Sequence, residues 1–276
     1  MHEKRAKKTR FVAITSGKGG VGKSTISSNL SWLLAKSGLK VAVFDADLGL
    51  ANLDVMFNVR VRKNLLHVLK GEASVKDILI PIRKNLLLIP GESGEEILKF
   101  SNSDLFENFV KEANILDDMD VMIIDTGAGI GESMQLFLQA ADDVVVVTVP
   151  DPAAITDAYA TIKVTARKRN DIYMIMNQVR SEKEANGIFG KIKKVAQANI
   201  SEKLELNLMG SLALSDKVSE SVKRRAIFVK EHPSSNATRE LEKIANRIAR
   251  KIDGNTRVNA YESGLTGLFK RLFDHF

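Results

Sequence analysis

Residues 16–25 read SGKGGVGKST, and this stretch decides how the rest of the chain is expected to fold. Three glycines fall within residues 19–22 and give the backbone conformations that other residues avoid. An apolar run at 11–15 precedes the stretch, and a helical pattern that ends at Gly38 follows it. Because free N–H groups at the start of a helix favour anions, the stretch predicts a phosphate-binding loop between a strand and a helix.

Two phosphate-binding patterns fit the loop. Residues 17–22 match the dinucleotide pattern G-x-G-x-x-G, and Asp45 lies near the position of its ribose-binding acid. Gly17 to Ser24 also match the mononucleotide P-loop, G-x-x-x-x-G-K-[ST]. Lys23 favours the second pattern, because a cation in the first turn of a helix is unfavourable unless concentrated negative charge faces it. The β- and γ-phosphates of a nucleoside triphosphate provide that charge.

The P-loop reading predicts ATP and Mg²⁺ as cofactors. Ser24 would supply a hydroxyl to Mg²⁺, and Asp125 ends the apolar strand VMIID, where P-loop proteins place a carboxylate near the metal. The alternative role for Asp125 is a cap on the next helix. The loop residues expected to bind nucleotide are Gly17, Lys18, Gly19, Gly20, Val21, Gly22, Lys23, Ser24 and Thr25.

Composition narrows the class of protein. Of 276 residues, 44% are hydrophobic and 27% charged, as in ordinary globular proteins. There is no cysteine, which excludes disulfides and thiolate-bound metal or iron–sulfur centres. No apolar run approaches the roughly 18 residues that span a bilayer, and no signal peptide is evident. The expected location is the cytoplasm.

The strand candidates are apolar throughout, which indicates strands buried on both faces of a sheet. They alternate with helical patterns, notably at 103–116, 153–169, 185–198 and 234–252. This alternation predicts one doubly wound α/β domain at 11–252, with a mostly parallel sheet of about seven strands flanked by helices. The strand candidates are 11–15, 39–46, 85–91, 120–125, 142–150, 171–179 and 206–214.

The chain carries a net charge of +7, and much of this excess lies in the N-terminal tail at 1–10. The favoured interpretation of this tail is a solvated terminus. Contact with nucleic acid or with an anionic membrane is the alternative.

The last twelve residues read LTGLFKRLFDHF and follow a tether at 253–264. Their apolar side chains form one stripe of a helix, while Lys270 and Arg271 fall outside it. So short a helix is marginal in water, but in a bilayer interface it buries its stripe and its cations meet anionic headgroups. Docking on the protein's own body is the alternative. The stripe consists of Leu265, Leu268, Phe269, Leu272, Phe273 and Phe276.

The stretch KGGVGKST at 18–25 resembles the KGGxGK[ST] loop of the deviant Walker A ATPases of the MinD/ParA family. The resemblance covers nearly all of the chain and implies the P-loop fold. It also implies a homodimer in the ATP-bound state, in which Lys18 reaches the nucleotide of the other subunit. Lys18, Lys23 and Asp47 would be the catalytic residues.

Other family motifs imply further roles. DADLGLANLD at 45–54 resembles the first switch region, which places Asp45 near Mg²⁺ and gives Asp47 the role of orienting the attacking water. DTGAGI at 125–130 resembles the second switch. Asn177 matches the residue that reads adenine, with the loop around 212–216 on the other side of the base.

Within the family, the missing cysteines exclude the iron–sulfur carriers and nitrogenase-type reductases. The C-terminal stripe favours MinD or FlhG proteins over ParA. DTGAGI and the basic N-terminal extension resemble FlhG, the regulator of flagellar number and placement, more than MinD. The tail lacks the D-Q-A-x-x-L-R motif through which some FlhG proteins stimulate the GTPase FlhF.

The resemblance implies an anionic membrane, an FlhF-like GTPase and flagellar switch-complex proteins as partners, and a peripheral position on the inner face of the cell membrane. DNA is not an expected partner. A MinD-type division-site ATPase, a ParA-like partition protein and, more remotely, a nicotinamide reductase stay open as alternatives.

Overall fold

A computed structural model describes residues 9–47, 53–91, 112, 116 and 118–253, except the side chains of Ser133 and Asp253. Residues 1–8, the tether after residue 253 and the stripe at 265–276 therefore lie outside the described residues, as does most of the helix predicted at 103–116.

Eight strands form one sheet in the order β3-β4-β2-β5-β1-β6-β7-β8. All neighbouring pairs are parallel except β3 and β4, so the predicted doubly wound, mostly parallel sheet is confirmed. The strand beyond the expected seven is β3, a four-residue edge strand that is too short to form an apolar run. The strands are β1 Arg10–Ser16, β2 Val41–Ala46, β3 Ile80–Arg83, β4 Leu86–Pro90, β5 Val121–Ala128, β6 Asp143–Thr148, β7 Asp171–Val179 and β8 Glu205–Ala213.

Helices cover both faces of the sheet. The helical patterns at 153–169, 185–198 and 234–252 correspond to α6, α7 and α10. None of the helices in the described ranges is long and apolar enough to cross a bilayer. These helices are α1 Lys23–Lys36, α2 Leu53–Phe57, α3 Leu65–Leu69, α4 Val75–Ile78, α5 Glu132–Ala140, α6 Pro152–Thr165, α7 Glu182–Asn199, α8 Asp216–Lys223, α9 Phe228–Glu231 and α10 Asn236–Asp253.

Two apolar layers hold the helices to the sheet. One layer packs α3 to α7 against one face and contains Phe44 and Phe137, whose ring centroids are 5.7 Å apart. The other packs α1 and α10 against the opposite face around Leu30 and Ile244, both fully buried. Because the inner strands are buried on both faces, their residues are apolar without alternation.

The sheet brings the predicted site residues together at one edge. Strand β1 lies between β5 and β6, which is the point where the strand order reverses and where open α/β sheets bind ligands. The loop at 17–22 leaves the carboxyl end of β1 at this point. Asp45 on β2 and Asp125 on β5 are register partners, so the two carboxylates lie beside each other.

Candidate nucleotide site

The phosphate-binding loop is formed by residues 17–22 between β1 and α1. Gly20 and Gly22 have φ angles of 82° and 89°, in the left-handed region that favours glycine. Gly17 lies against the backbone of α6, where an added Cβ would come within 2.2 Å of the Asp157 carbonyl group. An added Cβ at Gly22 would come within 2.4 Å of Asn177 Nδ2. The loop therefore requires glycine for both its conformation and its packing.

Lys23 begins α1 and points toward the predicted metal residues. Its Nζ lies 3.0 Å from Asp125 Oδ1 and 3.4 Å from Asp47 Oδ2, and its side chain is only 7% exposed. It also lies 3.4 Å from Ser24 Oγ. The protein thus places one buried ammonium among two carboxylates and a hydroxyl at the start of α1.

Asp125 is fully buried in the carboxyl-terminal half of β5, which continues to Ala128. Its Oδ1 accepts hydrogen bonds from Lys23 Nζ and from Ser27 Oγ, the latter at 2.8 Å. Its Oδ2 is buried and has no hydrogen-bond partner among the described residues. A buried carboxylate oxygen of this kind fits a hydrated Mg²⁺, because a metal-bound water would satisfy it.

Asp45 is the second carboxylate beside this position. Its Oδ2 accepts the N–H of Leu53 at 3.2 Å, and its Oδ1 accepts the N–H of Asp47 at 3.3 Å. Burial raises the pKa of Asp45 to about 7, and the neighbouring charge of Asp125 adds to the increase. A divalent cation bound here favours the ionised form. Together with the Ser24 hydroxyl, the two aspartates are the oxygen donors that Mg²⁺ prefers.

Asp47 lies between the P-loop and the end of β5. Its side chain is 21% exposed, and one oxygen contacts Lys23 as described. Its other oxygen, Oδ1, lies 3.4 Å from the point that a Cβ added to Gly127 would occupy. Gly127 belongs to the predicted second switch. The carboxylate therefore lies beside Lys23 at the start of α1 and next to the predicted second switch.

Lys18 lies at the surface, with a side chain 48% exposed. Its Nζ is 3.6 Å from Asp151 Oδ1, and Asp151 is itself 51% exposed. Asp151 caps α6 by accepting the N–H of Ala154 at 2.9 Å, and this hydrogen bond lowers the pKa of Asp151. The second lysine of the loop thus contacts an exposed carboxylate at the surface.

Asn177 lies near the carboxyl end of β7, beside the loop. Its Nδ2 donates to the Val21 carbonyl at 2.8 Å, and its Oδ1 accepts the N–H of Gln178 at 3.0 Å. Asn177 therefore holds the P-loop to β7, a role that its sequence context does not indicate.

A cleft of about 340 Å³ opens beside Asn177 and combines the P-loop with the segment that follows β8. The sequence-predicted base pocket, between Asn177 and the loop around 212–216, coincides with this cleft. The residues that line it are Gly20, Gly22, Thr25, Ile26, Asn177, Gln178, Leu212, Ala213, Leu214, Ser215, Val218, Ser219, Val222, Lys223 and Phe228.

Sequence reasoning missed two residues that the structure places at the site. Ser27 lies four residues after Lys23 on α1, and this spacing puts both side chains on one helix face beside Asp125. Asp151 precedes Pro152 at the start of α6, which is a recognisable helix-start signal. Neither signal by itself indicates contact with the P-loop, because those contacts depend on the positions of β5 and α6.

Comparisons with known proteins point to the same class of P-loop protein. The ParA family model, described as an iron-transfer P-loop NTPase of the NUBPL type, matches residues 7–249. The flagellum site-determining protein YlxH of Helicobacter pylori is 46% identical over 97% of this chain and 90% of that protein. The antiactivator FleN of Pseudomonas aeruginosa is 32% identical over 87% of this chain and 86% of that protein.

A solved structure is similar over the same region. The septum site-determining protein MinD of Pyrococcus horikoshii, in complex with Mg-ADP, has a TM-score of 0.68 and 26% identity, and covers 89% of this chain and 98% of that one. The sequence relatives, the shared fold and the P-loop with its paired aspartates lead to one assignment. The chain belongs to the MinD/ParA family of P-loop NTPases.

Proposed function

We propose that this protein is an Mg²⁺-dependent ATPase, hydrolysing ATP to ADP and phosphate, that acts as a dimerising, membrane-associated switch to control the placement and number of flagella. The observation that carries the enzymatic part is the group formed by Lys23, Asp125, Asp47 and Asp45 at the P-loop. The flagellar part is supported by the similarity to the flagellum site-determining protein YlxH.

Lys23 is the residue expected to bind the phosphates of ATP. In the structure, its ammonium contacts Asp125 and Asp47. With ATP bound, we expect Lys23 to face the β- and γ-phosphates, and Ser24, Asp45 and Asp125 would hold Mg²⁺ with its waters. Mg²⁺ supplies neutralisation of the phosphate charge. The base lies in the cleft beside Asn177, as the adenine-reading role requires.

Hydrolysis requires a positioned water, and Asp47 is the carboxylate that would hold it. Phosphoryl transfer depends mainly on positioning and on electrostatic stabilisation, so Asp47 acts by orienting the nucleophile and accepting its proton. Lys18 adds positive charge from the second subunit. Its exposed position suits this role, because a lysine at the surface of one subunit is accessible to the nucleotide of the other.

Replacing Lys18 separates ATP binding from dimerisation. We expect Lys18→Ala to bind ATP with nearly wild-type affinity and to remain monomeric in Mg-ATP, because the Lys18 ammonium contacts the exposed Asp151 at the surface of its own subunit. Light scattering after size-exclusion chromatography measures the mass, and calorimetry measures the affinity. Continued pairing in ATP would rule out the role of Lys18 across the dimer.

Asp151→Asn is the matched control for Lys18→Ala. An asparagine keeps the helix cap on α6 but removes the charge that Lys18 contacts. This variant should therefore still dimerise. Loss of the dimer in both variants would mean that the Lys18–Asp151 contact within one subunit, rather than a contact across the dimer, supports pairing.

We assign membrane association to the apolar stripe at 265–276 because of its sequence pattern. One short amphipathic helix binds weakly, whereas two in a dimer bind much better because the second insertion is intramolecular. ATP-driven pairing therefore recruits the protein to the inner face of the cell membrane, and hydrolysis releases it to the cytoplasm.

A carboxylate in the middle of the stripe should detach the protein from membranes. We expect Phe269→Glu or Phe273→Glu to lose about tenfold to a hundredfold in affinity for anionic liposomes per chain, because burial of a phenyl group contributes roughly 1.5–3 kcal/mol. ATP affinity should not change. Co-sedimentation with liposomes, with and without ATP, provides the measurement.

Lys270→Gln is the comparison variant, since it lies outside the stripe and loses only about 1 kcal/mol of headgroup attraction. If the stripe docks on the body instead, the Phe variants will have lower melting temperatures than the wild type in the absence of lipid. The wild type will then not bind liposomes, even with ATP. Melting curves beside the sedimentation assay distinguish the two cases.

The flagellar role implies an FlhF-like GTPase and switch-complex proteins as partners. Counting flagella and mapping division sites in cells that lack the chain tests this role against a MinD-type function. Abnormal flagellar number with normal division sites supports the proposal, and misplaced division sites with normal flagella contradict it. Salt-sensitive, ATP-dependent DNA binding that survives removal of residues 264–276 would favour a ParA-like partition role instead.

A further inference from the structure

A β-bulge interrupts the pairing of β7 with β8 beside the cleft. Three residue steps from Met176 to Val179 lie against only two steps on β8, so β7 carries one extra residue at this point. Beyond the bulge, the Leu214 N–H donates to the Val179 carbonyl at 3.0 Å. Bulges are rare between parallel strands, and next to active sites they change the direction of a side chain. The two residues within the bulge are Asn177 and Gln178.

Gln178 has a left-handed backbone conformation, with a φ angle of 55°. Glycine adopts this conformation freely and asparagine tolerates it, whereas most longer side chains avoid it. Where other residues keep it, they cluster at active sites and ligand-binding sites, held by the surrounding structure. Here Asn177 Oδ1 accepts the Gln178 N–H at 3.0 Å and helps to hold the conformation. The bulge therefore presents a full-length glutamine side chain where glycine would be less strained.

The two carboxamides of the bulge differ in what they contact. Both ends of the Asn177 carboxamide are engaged, since Nδ2 donates to the Val21 carbonyl and Oδ1 accepts from the Gln178 N–H. Gln178 is exposed and lines the cleft, and its side chain makes no hydrogen bond to any residue in the described part of the chain. Gln178 is thus the carboxamide that a ligand in the cleft can engage at both ends.

The lining of the cleft is apolar after β8 and on α8, where it consists of Leu214, Val218 and Val222. Two of these side chains are unusually exposed for large apolar residues, Leu214 at 65% and Val222 at 38%. Val218 and Val222 are four residues apart and therefore lie on one face of α8. A purine base suits such a surface, because its faces are apolar while its edge carries polar atoms. The edge of the base then needs a polar partner.

A carboxamide is a suitable partner for the edge of adenine. The 6-amino group of adenine donates and the neighbouring N7 accepts, and a glutamine side chain matches this pair through its carbonyl oxygen and its amino group. Guanine presents two acceptors, O6 and N7, on the same edge, so no rotation of the carboxamide satisfies both. The other polar side chains that line the cleft each carry a single oxygen or nitrogen atom; they are Thr25, Ser215, Ser219 and Lys223.

We infer that Gln178 determines the purine specificity of this site, with its carbonyl oxygen accepting from the 6-amino group of adenine and its amino group donating to N7. The inference rests on the ATP binding proposed above. Asn177 is then a positioning residue, because it holds both the P-loop and the Gln178 backbone in place. The preference for ATP over GTP depends on the side chain of Gln178.

Nucleotide titrations of Gln178→Leu test the inference. Leucine is similar to glutamine in size but forms no hydrogen bond through its side chain. We expect the wild type to bind ATP at least about fivefold more tightly than GTP, since a bidentate base contact contributes roughly 5- to 150-fold. It should also bind ATP about two- to tenfold more tightly than 7-deaza-ATP, which lacks the N7 acceptor. Both preferences should disappear in Gln178→Leu, measured by calorimetry with Mg²⁺.

Gln178→Gly separates the role of the side chain from that of the backbone. Glycine accepts a φ angle of 55° without strain, so this variant should melt no lower than Gln178→Leu. It should nevertheless lose both preferences for ATP. Gln139→Leu is the control for a glutamine elsewhere, because Gln139 lines a separate cleft between α5 and the end of α6. This variant should keep both preferences.

Three results would overturn the inference. In the first, Gln178→Leu keeps the wild-type preference for ATP over GTP, which would assign specificity to other groups of the cleft. In the second, the wild type binds ATP and 7-deaza-ATP equally, which excludes the contact with N7. In the third, Gln178→Gly keeps both preferences while Gln178→Leu loses them, which would assign the loss to backbone strain. A wild-type protein that binds none of the three nucleotides would instead contradict the proposed ATPase function itself.

Discussion

Lys23→Ala is expected to weaken ATP binding by about two to four orders of magnitude. The ammonium makes charge-assisted contacts to the β- and γ-phosphates, and each such contact contributes roughly 1.5–3 kcal/mol. No other cation of the described loop replaces it, because Lys18 is turned toward Asp151 at the surface. Calorimetric titration with Mg-ATP provides the measurement, and unchanged affinity would refute the P-loop assignment.

Two further variants make the result interpretable. Lys36→Ala removes an exposed lysine from the last turn of the same helix and should leave ATP affinity unchanged. Lys23→Gln removes the charge but keeps a hydrogen-bond donor toward the buried Asp125. It should fold as the wild type does and still lose ATP. If Lys23→Gln binds ATP normally while Lys23→Ala does not, the loss in the alanine variant comes from disruption of the buried group rather than from the missing cation.

Asp47→Ala is expected to bind ATP and to hydrolyse it about 10²- to 10⁴-fold more slowly, the contribution that a positioned proton acceptor usually makes. Because the nucleotide persists, the variant should accumulate as an ATP-bound dimer. Phosphate release measures the rate, and light scattering in Mg-ATP measures the mass. Wild-type turnover, or a monomer in saturating ATP, would count against Asp47 in this role.

Asp118→Asn is the control for Asp47→Ala. Asp118 is 86% exposed at the opposite edge of the sheet, where it contacts Lys40. Its replacement should alter neither rate nor mass. Asp47 also contacts Lys23, so the affinity of Asp47→Ala for ATP must be measured. Affinity that stays near the wild-type value while the rate falls would assign Asp47 to hydrolysis rather than to binding.

The predictable part of the fold came from strong local signals. Buried parallel strands such as β5 and β6 are apolar throughout, and the P-loop letters mark where β1 ends and α1 begins. The edge strand β3 lacks such a signal, since four residues that include a proline form neither an apolar run nor an alternation. The first strand also begins at Arg10, one residue before its apolar run, because Asp143 and the Lys251 carbonyl hold that side chain.

The candidate site was predictable to a different degree at each residue. Motif spacing marked Lys23, Ser24, Asp45 and Asp125, because the two aspartates follow apolar runs in their strands and the lysine and serine begin a helix. No motif indicated two other hydrogen bonds of the site, from Ser27 to Asp125 and from Asn177 to Val21. Both join residues about a hundred or more positions apart in the chain, so only the packed strands and helices determine them.

The sequence by itself indicated the phosphate-binding loop, the alternation of strands with helices, and the family. These features depend on residue types at short spacing along the chain. The tertiary structure alone decided which groups share an environment. It placed Lys23 between Asp125 and Asp47, turned Lys18 toward Asp151, and joined the two ends of the body through Asp143. The physical reason is that burial and charge act through space, so neighbours created by sheet order leave no pattern along the chain.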